Sequence, residues 1–134
     1  MKQVKTAVVG CGMISNIYIK NLQNLFSVID LAGLCNRSPP GRRGKIRVFG
    51  IPVMSLEEIK ADPSIELVVN LTGPTEHYAV VKDLLLAGKN VYTEKMLCLE
   101  LEQGKELVRL ADGGQKSLHR CAAVRKRRTC HRAF

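Results

Sequence analysis

The residues best suited to chemistry in this 134-residue chain begin with Gly10-Cys-Gly12-Met-Ile-Ser15, a glycine-rich turn near the amino end. An apolar run at residues 6–9 precedes the turn and a helical pattern follows it, which predicts a strand–turn–helix unit. Such a turn lets the backbone approach a pyrophosphate, and the helix start offers free N–H groups to it. The alternative is a glycine turn that binds no ligand. The residues predicted to contact a cofactor here are Gly10, Gly12, Met13 and Ile14.

The end of the second predicted strand, residues 28–35, carries Asn36-Arg37-Ser38 and no acidic side chain. An acid at this position hydrogen-bonds the ribose 2′-hydroxyl of NAD(H), whereas an arginine accommodates the 2′-phosphate of NADP(H). The pattern therefore favours NADP(H) over NAD(H), with Asn36 and Arg37 as contacts. The competing interpretation is that Arg37 is a solvated surface residue, as most arginines are.

The sequence gives little support for a metal site, a disulfide framework or a catalytic nucleophile. His77, His119 and His131 have no ligand partners at metal-binding spacing, so we predict no metal site. The five cysteines are odd in number and contain no CxxC pair, which fits neither a disulfide framework nor a zinc site. No serine or cysteine nucleophile can be matched with a base.

The elements that must position these residues alternate between strand and helix. This order predicts an α/β fold with a doubly wound, Rossmann-type parallel sheet and right-handed crossovers. Residues 38–49 are the exception, because Ser38-Pro-Pro40 suits a helix start whereas Gly41-Arg-Arg-Gly44 is a poor helix interior. The predicted strands cover about residues 6–10, 28–35, 51–54, 66–71 and 90–93, and the predicted helices cover 14–26, a short stretch from 55, 75–87 and 99–111.

The formal net charge of +9 is concentrated in two segments. The first 112 residues hold 14 basic and 12 acidic side chains, whereas residues 113–134 hold seven basic and none acidic. Residues 40–49 contribute four of those 14. We therefore predict a dinucleotide-binding domain at 1–112 and a poorly ordered basic tail at 113–134. No apolar run is long enough for a membrane span or signal peptide, which predicts a cytoplasmic protein.

Three stretches together resemble a known family. They are Ala7-Val-Val-Gly-Cys-Gly-Met-Ile-Ser15, Asn70-Leu-Thr-Gly-Pro-Thr-Glu-His77 and Ala87-Gly-Lys-Asn-Val-Tyr-Thr-Glu-Lys95. In order and spacing they are similar to the N-terminal domain of the Gfo/Idh/MocA oxidoreductases. The resemblance implies NAD(P) binding, followed in the family by a larger domain that binds a sugar, inositol or related polyol and often mediates oligomerisation.

The resemblance also implies roles for single residues. Glu94-Lys95 matches the family's Glu-Lys-Pro motif, in which a lysine buried beside the nicotinamide assists proton transfer from the substrate hydroxyl. Met96 stands where proline is usual. Thr72, Pro74 and His77 match the family's loop alongside the cofactor, although a lone histidine there is more often structural than catalytic. The catalytic residue implied is Lys95, and the cofactor contacts implied are Thr72, Pro74, His77, Glu94 and Lys95.

The family's substrate-binding residues lie beyond the matched stretch. We therefore expect an oxidoreductase domain without its substrate domain and without turnover alone. The unpatterned sequence after residue 112 suggests a frameshift there, and residues 40–49 suggest a second, compensated one. Surfaces meant for the missing half predict self-association. A stand-alone NADP(H)-binding regulatory module is the alternative, and nucleic-acid binding by the tail is disfavoured because the basic run lacks stacking aromatic residues.

Overall fold

The computed structural model describes residues 2–36 and 49–120 of the chain. Within these ranges a five-stranded sheet has the order β2-β1-β3-β4-β5, and every pairing is parallel. The predicted α/β fold with a doubly wound parallel sheet is therefore confirmed. The strands are β1 (Val4–Val9), β2 (Ile29–Cys35), β3 (Leu67–Asn70), β4 (Asn90–Thr93) and β5 (Leu118–Arg120).

The helices begin where the sequence places helix-start residues. Ser55 caps one of them by accepting a hydrogen bond from the Glu58 N–H, and the Glu58 side chain accepts one from the Ser55 N–H, as the predicted capping box requires. Pro74 occupies the first turn of another, where its missing N–H costs nothing. The helices are α1 (Ser15–Asn24), α2 (Leu56–Ala61), α3 (Pro74–Leu86) and α4 (Leu101–Gly113).

The sheet buries apolar side chains on both faces. Alternate residues of β1 point to opposite sides, so Ala7 joins the cluster under α2, α3 and α4 while Val8 joins the cluster under α1. The near-continuous apolar character of β3 has the same cause, since Val68 and Val69 belong to opposite clusters. Two-sided burial fixes the strands whose carboxyl ends carry the candidate site.

The direction of winding reverses between β1 and β3. From β1 the chain crosses to β2 on one side, and it later returns to place β3 on the other side of β1. Ligands of open α/β sheets bind at the carboxyl ends of the strands at such a reversal. The turn after β1 and the loop between β3 and α3 flank this crevice.

Several local predictions need correction. The segment at 51–54 is not a full strand: Val53 forms a single bridge to Leu34, because Pro52 has no N–H to extend the ladder. In α1 the buried apolar residue is Ile19, whereas Ile17 is exposed. The spacing of apolar residues in α4 predicts an inward face made of Leu101, Leu107, Val108 and Ala111. Leu107 and Ala111 are buried, but Leu101 is 74% exposed because it lies at the helix start, and Val108 is also exposed.

The predicted domain boundary at residue 112 falls too early. Helix α4 continues to Gly113, and β5 then pairs with β4, so residues 113–120 extend the sheet. A polar strand of three residues leaves no periodic signal, which is why the sequence did not reveal it. Arg37, the segment 40–48 and the tail at 121–134 lie outside the described residues. Within the described ranges no helix has the length and apolar character to cross a membrane.

Candidate functional site

The glycine turn after β1 rests directly on the loop after β3. Gly10 has a φ of +94°, a conformation that side chains oppose. A Cβ atom there would lie 2.5 Å from the Leu71 carbonyl carbon and from the Thr72 nitrogen. Backbone cannot move aside as a flexible side chain could, so the fold itself requires glycine at this position.

Gly12 differs from Gly10, because a Cβ atom there would meet no protein atom within 4 Å. The packing of the described residues therefore does not explain this glycine, which leaves open space above the start of α1. Among the described residues, the N–H groups of Gly12, Met13 and Ile14 donate to no backbone carbonyl, and α1 has no side-chain cap. Free donors at a helix start beside a glycine-made space fit a pyrophosphate.

The other residues of the turn divide into an exposed and a buried group. Met13 is 94% exposed and Ile14 is also exposed, so both are accessible to a ligand. Ser15 is fully buried, and its hydroxyl donates to the Gly12 carbonyl over 2.6 Å. A small residue is needed at this third motif position because α1 packs closely on β1 there.

A cavity of about 270 Å³ opens beside the turn on the side of β2. The ends of β1 and β2, the residues before α2 and the start of α3 form its walls. We call it the β2 side of the crevice. It brings together three predicted cofactor residues, Gly10, Asn36 and Thr72, with Glu76, which the sequence analysis missed. The residues lining it are Val9, Gly10, Cys35, Asn36, Ser55, Leu56, Thr72, Glu76 and Val80.

Two cysteines lie where the glycine turn meets the end of β2. The Gly10 N–H donates to the Cys35 carbonyl over 2.8 Å, and the Cys11 thiol donates to the same oxygen over 3.6 Å. Both cysteines are buried. These contacts hold the turn against β2 and fix one wall of the cavity.

On the opposite side, β4 ends in Thr93, Glu94 and Lys95. The Glu94 carboxylate is buried, and it accepts hydrogen bonds from the Tyr18 hydroxyl and from the Lys95 N–H, the latter over 3.3 Å. Tyr18 lies on α1, 76 residues away, so no local pattern could have predicted this contact. The Glu94 side chain thus ties α1 to the end of β4.

Lys95 lies at the carboxyl end of β4, but its side chain is exposed rather than buried. None of the described carboxylates lies within salt-bridge distance of its ammonium group. Met96, which replaces the usual proline, follows through a cis peptide bond. No described residue covers the lysine, which accounts for the difference from the expected burial.

A buried amide links the ends of β3 and β4. The side-chain N–H of Asn70 donates to the Thr93 hydroxyl over 3.0 Å. The side-chain oxygen of Asn70 accepts from the Thr72 N–H and hydroxyl over 3.2 and 2.7 Å. Asn70 is fully buried. The sequence offered a signal that was not used, because a polar residue at the end of an otherwise apolar strand needs partners. We call Asn70, His77, Thr93, Glu94 and Lys95 the β4 side of the crevice.

His77, which we predicted to lie beside the cofactor, is fully buried at the start of α3. Its Nε2 atom contacts the Thr72 carbonyl over 2.7 Å, and its Nδ1 atom contacts the Met96 carbonyl. Both ring nitrogens therefore face backbone of the two crevice loops. Pro74 is exposed at the first turn of the same helix. Among the described residues no group of three metal-ligating side chains comes together.

The family can be identified once this geometry is known. A family model described as an oxidoreductase family with an NAD-binding Rossmann fold matches residues 4–120. The chain belongs to the Gfo/Idh/MocA oxidoreductase family. In this Gfo/Idh/MocA domain, the glycine turn and the end of β4 belong to two of the three stretches that carry the family resemblance. The structure places them on either side of one crevice.

Relatives of this Gfo/Idh/MocA domain are longer than the chain. A scyllo-inositol 2-dehydrogenase (NAD(+)) of Bacillus subtilis is 33% identical over 107 residues, which cover 77% of this chain and 31% of the relative. GenD2 from gentamicin A biosynthesis, solved with NAD, has 26% identity and a TM-score of 0.84 over 90% of this chain and 34% of its own.

A relative solved with the other dinucleotide has the same fold. Biliverdin reductase from Synechocystis, in complex with biliverdin and NADP+, has 28% identity and a TM-score of 0.81 over 87% of this chain and 37% of its own. The chain spans about a third of the length of the curated relatives it matches. Proteins similar to this chain have thus been solved with either dinucleotide.

Proposed function

We propose that this chain is the nucleotide-binding domain of an oxidoreductase that acts on a sugar, an inositol or a related polyol. The observation that supports it best is the pair of glycines after β1. The fold requires Gly10, but the described packing gives no reason for Gly12. The space above Gly12 adjoins N–H groups that donate to no backbone carbonyl of the described residues. A dinucleotide pyrophosphate accounts for both features.

In this proposal the two sides of the crevice hold different parts of the cofactor. The N–H groups of Gly12, Met13 and Ile14 bind the pyrophosphate. The cavity on the β2 side, where Asn36 and Thr72 offer polar atoms, receives the adenosine part. When bound, the nicotinamide supplies or accepts a hydride, and Pro74 and Glu94 lie among the contacts expected along the cofactor.

Lys95 is the group we propose for proton transfer. Its ammonium group is exposed at the end of β4 and has no described carboxylate partner, so it is free to hydrogen-bond a substrate hydroxyl. In its neutral amine form this lysine can accept the hydroxyl proton during oxidation, and the ammonium that results can return the proton during reduction. Tyr18 and Asn70 hydrogen-bond the side chains of Glu94 and Thr93, the two residues before this lysine.

We further propose that NADP(H) is preferred over NAD(H). The support is the sequence after β2, in which Asn36-Arg37-Ser38 lacks the acid that would bind a ribose 2′-hydroxyl. Glu76 opposes this preference, because its carboxylate lines the same cavity and would repel a 2′-phosphate. The proposed preference for NADP(H) therefore depends on whether attraction of the 2′-phosphate by Arg37 outweighs its repulsion by Glu76.

The chain covers about a third of its relatives, so we propose that it binds cofactor without turnover on its own. Exposed Ile17, Leu101 and Val108 favour self-association, which sedimentation at rising concentration can measure. We also propose the reducing cytoplasm as its location, because the five cysteines are odd in number and contain no CxxC pair.

Calorimetric titration of the full chain with NADPH tests the proposal. We expect saturable binding that Gly12→Asp abolishes, because a carboxylate would fill the space meant for phosphate. Gly113→Asp is the matched control, since it adds the same charge at another glycine with open surroundings at the far end of α4. No binding by the unsubstituted chain, or equal loss in both variants, would contradict the proposal.

A stand-alone NADP(H)-binding regulatory module would give the same titration. Turnover distinguishes the two functions, because a separately supplied substrate domain would restore oxidation of a polyol only for an oxidoreductase domain. Nucleic-acid binding through the basic residues 125–128 would instead appear as salt-sensitive DNA binding that deletion of 121–134 removes.

A further inference from the structure

His77 occupies the junction between the two loops that flank the β4 side of the crevice. It is fully buried, and its Nε2 atom lies 2.7 Å from the Thr72 carbonyl. Its Nδ1 atom contacts the carbonyl of Met96, the residue directly after Lys95. One imidazole therefore connects the loop after β3 to the backbone beside the proposed proton-transfer lysine.

The residue before Lys95 is also fixed, through the last residue of β3, to the loop that follows. The Glu94 N–H donates to the backbone carbonyl of Asn70 over 3.0 Å, and the Asn70 side chain accepts hydrogen bonds from Thr72. Hydrogen bonds thus restrain the backbone on both sides of Lys95 while the lysine side chain itself stays exposed. This arrangement suits a mobile functional group carried on a rigid support.

We propose that His77 is a positioning residue, which orients Lys95 through the Met96 carbonyl and does not itself contact the cofactor. The inference rests on the proposed function, since it presumes that Lys95 lies beside the nicotinamide. It reverses the expectation that His77 is a cofactor contact, because its two ring nitrogens already face the Thr72 and Met96 carbonyls.

Two roles for His77 must be separated by substitution: positioning of Lys95 through the Met96 carbonyl, and packing in the interior without any effect on Lys95. The two ring nitrogens allow this, because each can be replaced separately. Asparagine keeps an N–H donor near the Nδ1 position, which faces Met96. Glutamine keeps one near the Nε2 position, which faces Thr72. If His77 acts through Met96, His77→Asn preserves its role and His77→Gln does not.

The test compares binding of NADPH with binding of 2′-phospho-ADP-ribose, which lacks the nicotinamide ring. For His77→Gln we expect about 10-fold weaker NADPH binding, the effect of one lost hydrogen bond, and unchanged binding of 2′-phospho-ADP-ribose. His77→Asn should bind both ligands as the unsubstituted chain does. The proposal would be overturned if His77→Gln bound both ligands more weakly by the same factor, or if the two variants bound NADPH with the same affinity. It would also be overturned if only His77→Asn bound NADPH more weakly.

A double-substitution cycle adds a second readout. If His77 acts through Lys95, His77→Gln should weaken NADPH binding by less than about 2-fold when Lys95→Met is already present. Full additivity would overturn the inference. The failure of the proposed function is distinguishable, because then the unsubstituted chain would bind neither ligand.

Discussion

The two sides of the crevice are built in opposite ways. The β2 side is an open cavity of about 270 Å³, and Asn36 makes no side-chain hydrogen bond among the described residues. The β4 side is cross-linked by Asn70 and His77, whose polar atoms all face partners. No buried side-chain nitrogen or oxygen in the described residues lacks a partner.

This difference indicates that the two sides of the crevice have different functions. An open cavity can adapt to a ligand and contributes binding energy by being filled, whereas a satisfied polar network holds groups at fixed positions. We infer that the β2 side provides affinity and the β4 side provides geometry. Substitutions on the β2 side should therefore change cofactor binding with little effect on stability, whereas substitutions on the β4 side should also lower stability.

The largest expected effect concerns the glycine turn that joins the two sides. Gly10→Ala should lower the free energy of unfolding by about 3 kcal/mol or more, because it adds both an unfavourable φ and a backbone overlap. Gly12→Ala is the matched variant and should keep its stability within about 0.5 kcal/mol while binding dinucleotide more weakly. Urea denaturation measures the former and calorimetry the latter.

Similar stability losses in the two glycine variants would show that Gly12 is also required by the fold. The glycine motif would then report on packing alone.

The next largest effect separates the two asparagines. Asn70→Leu should lower the free energy of unfolding by about 1–3 kcal/mol, because Thr72 and Thr93 lose their buried partner. Asn36→Leu should change it by less than about 0.5 kcal/mol but weaken NADPH binding. Thermal unfolding compares the two variants directly, and equal destabilisation would remove the contrast between the two sides.

The sequence was informative where local chemistry determines structure. The helix that follows Ser55 and the span of β4 were both predictable, because each depends on neighbouring residues. The contact between Tyr18 and Glu94 was not, since only the sheet order brings α1 to the end of β4. Glu76 was missed for the same reason, because only the sheet order places it in the same cavity wall as Asn36.

A smaller effect is expected for cofactor selectivity on the β2 side. Glu76→Gln should raise the affinity for NADPH relative to NADH by about 2- to 5-fold, the range expected for one partly solvated charge. Arg37→Ala should shift the same ratio the other way. Fluorescence titrations with both dinucleotides provide the ratio, and a shift in the same direction for both variants would refute the proposed balance.

The smallest effect belongs to a contact outside the crevice. Lys82 and Tyr78 donate hydrogen bonds that hold the pKa of the Glu106 carboxyl below its usual value. Its contribution to stability is therefore present at neutral pH and is lost as the pH falls through the folded-state pKa, below 4.5. Glu106→Gln should lower Tm slightly at pH 7, and the difference in Tm should disappear as the pH falls through the folded-state pKa, with unchanged NADPH binding.

The central claim is that the crevice between β1 and β3 binds a nicotinamide dinucleotide. An ¹H–¹⁵N correlation spectrum of the full chain, titrated with NADPH, tests it residue by residue. We predict the largest saturable shifts at the amides of Gly12, Met13 and Ile14, with smaller ones at Thr72 and Lys95. Absent shifts at the glycine turn, or shifts confined to the opposite ends of the strands near Lys89, would contradict the account.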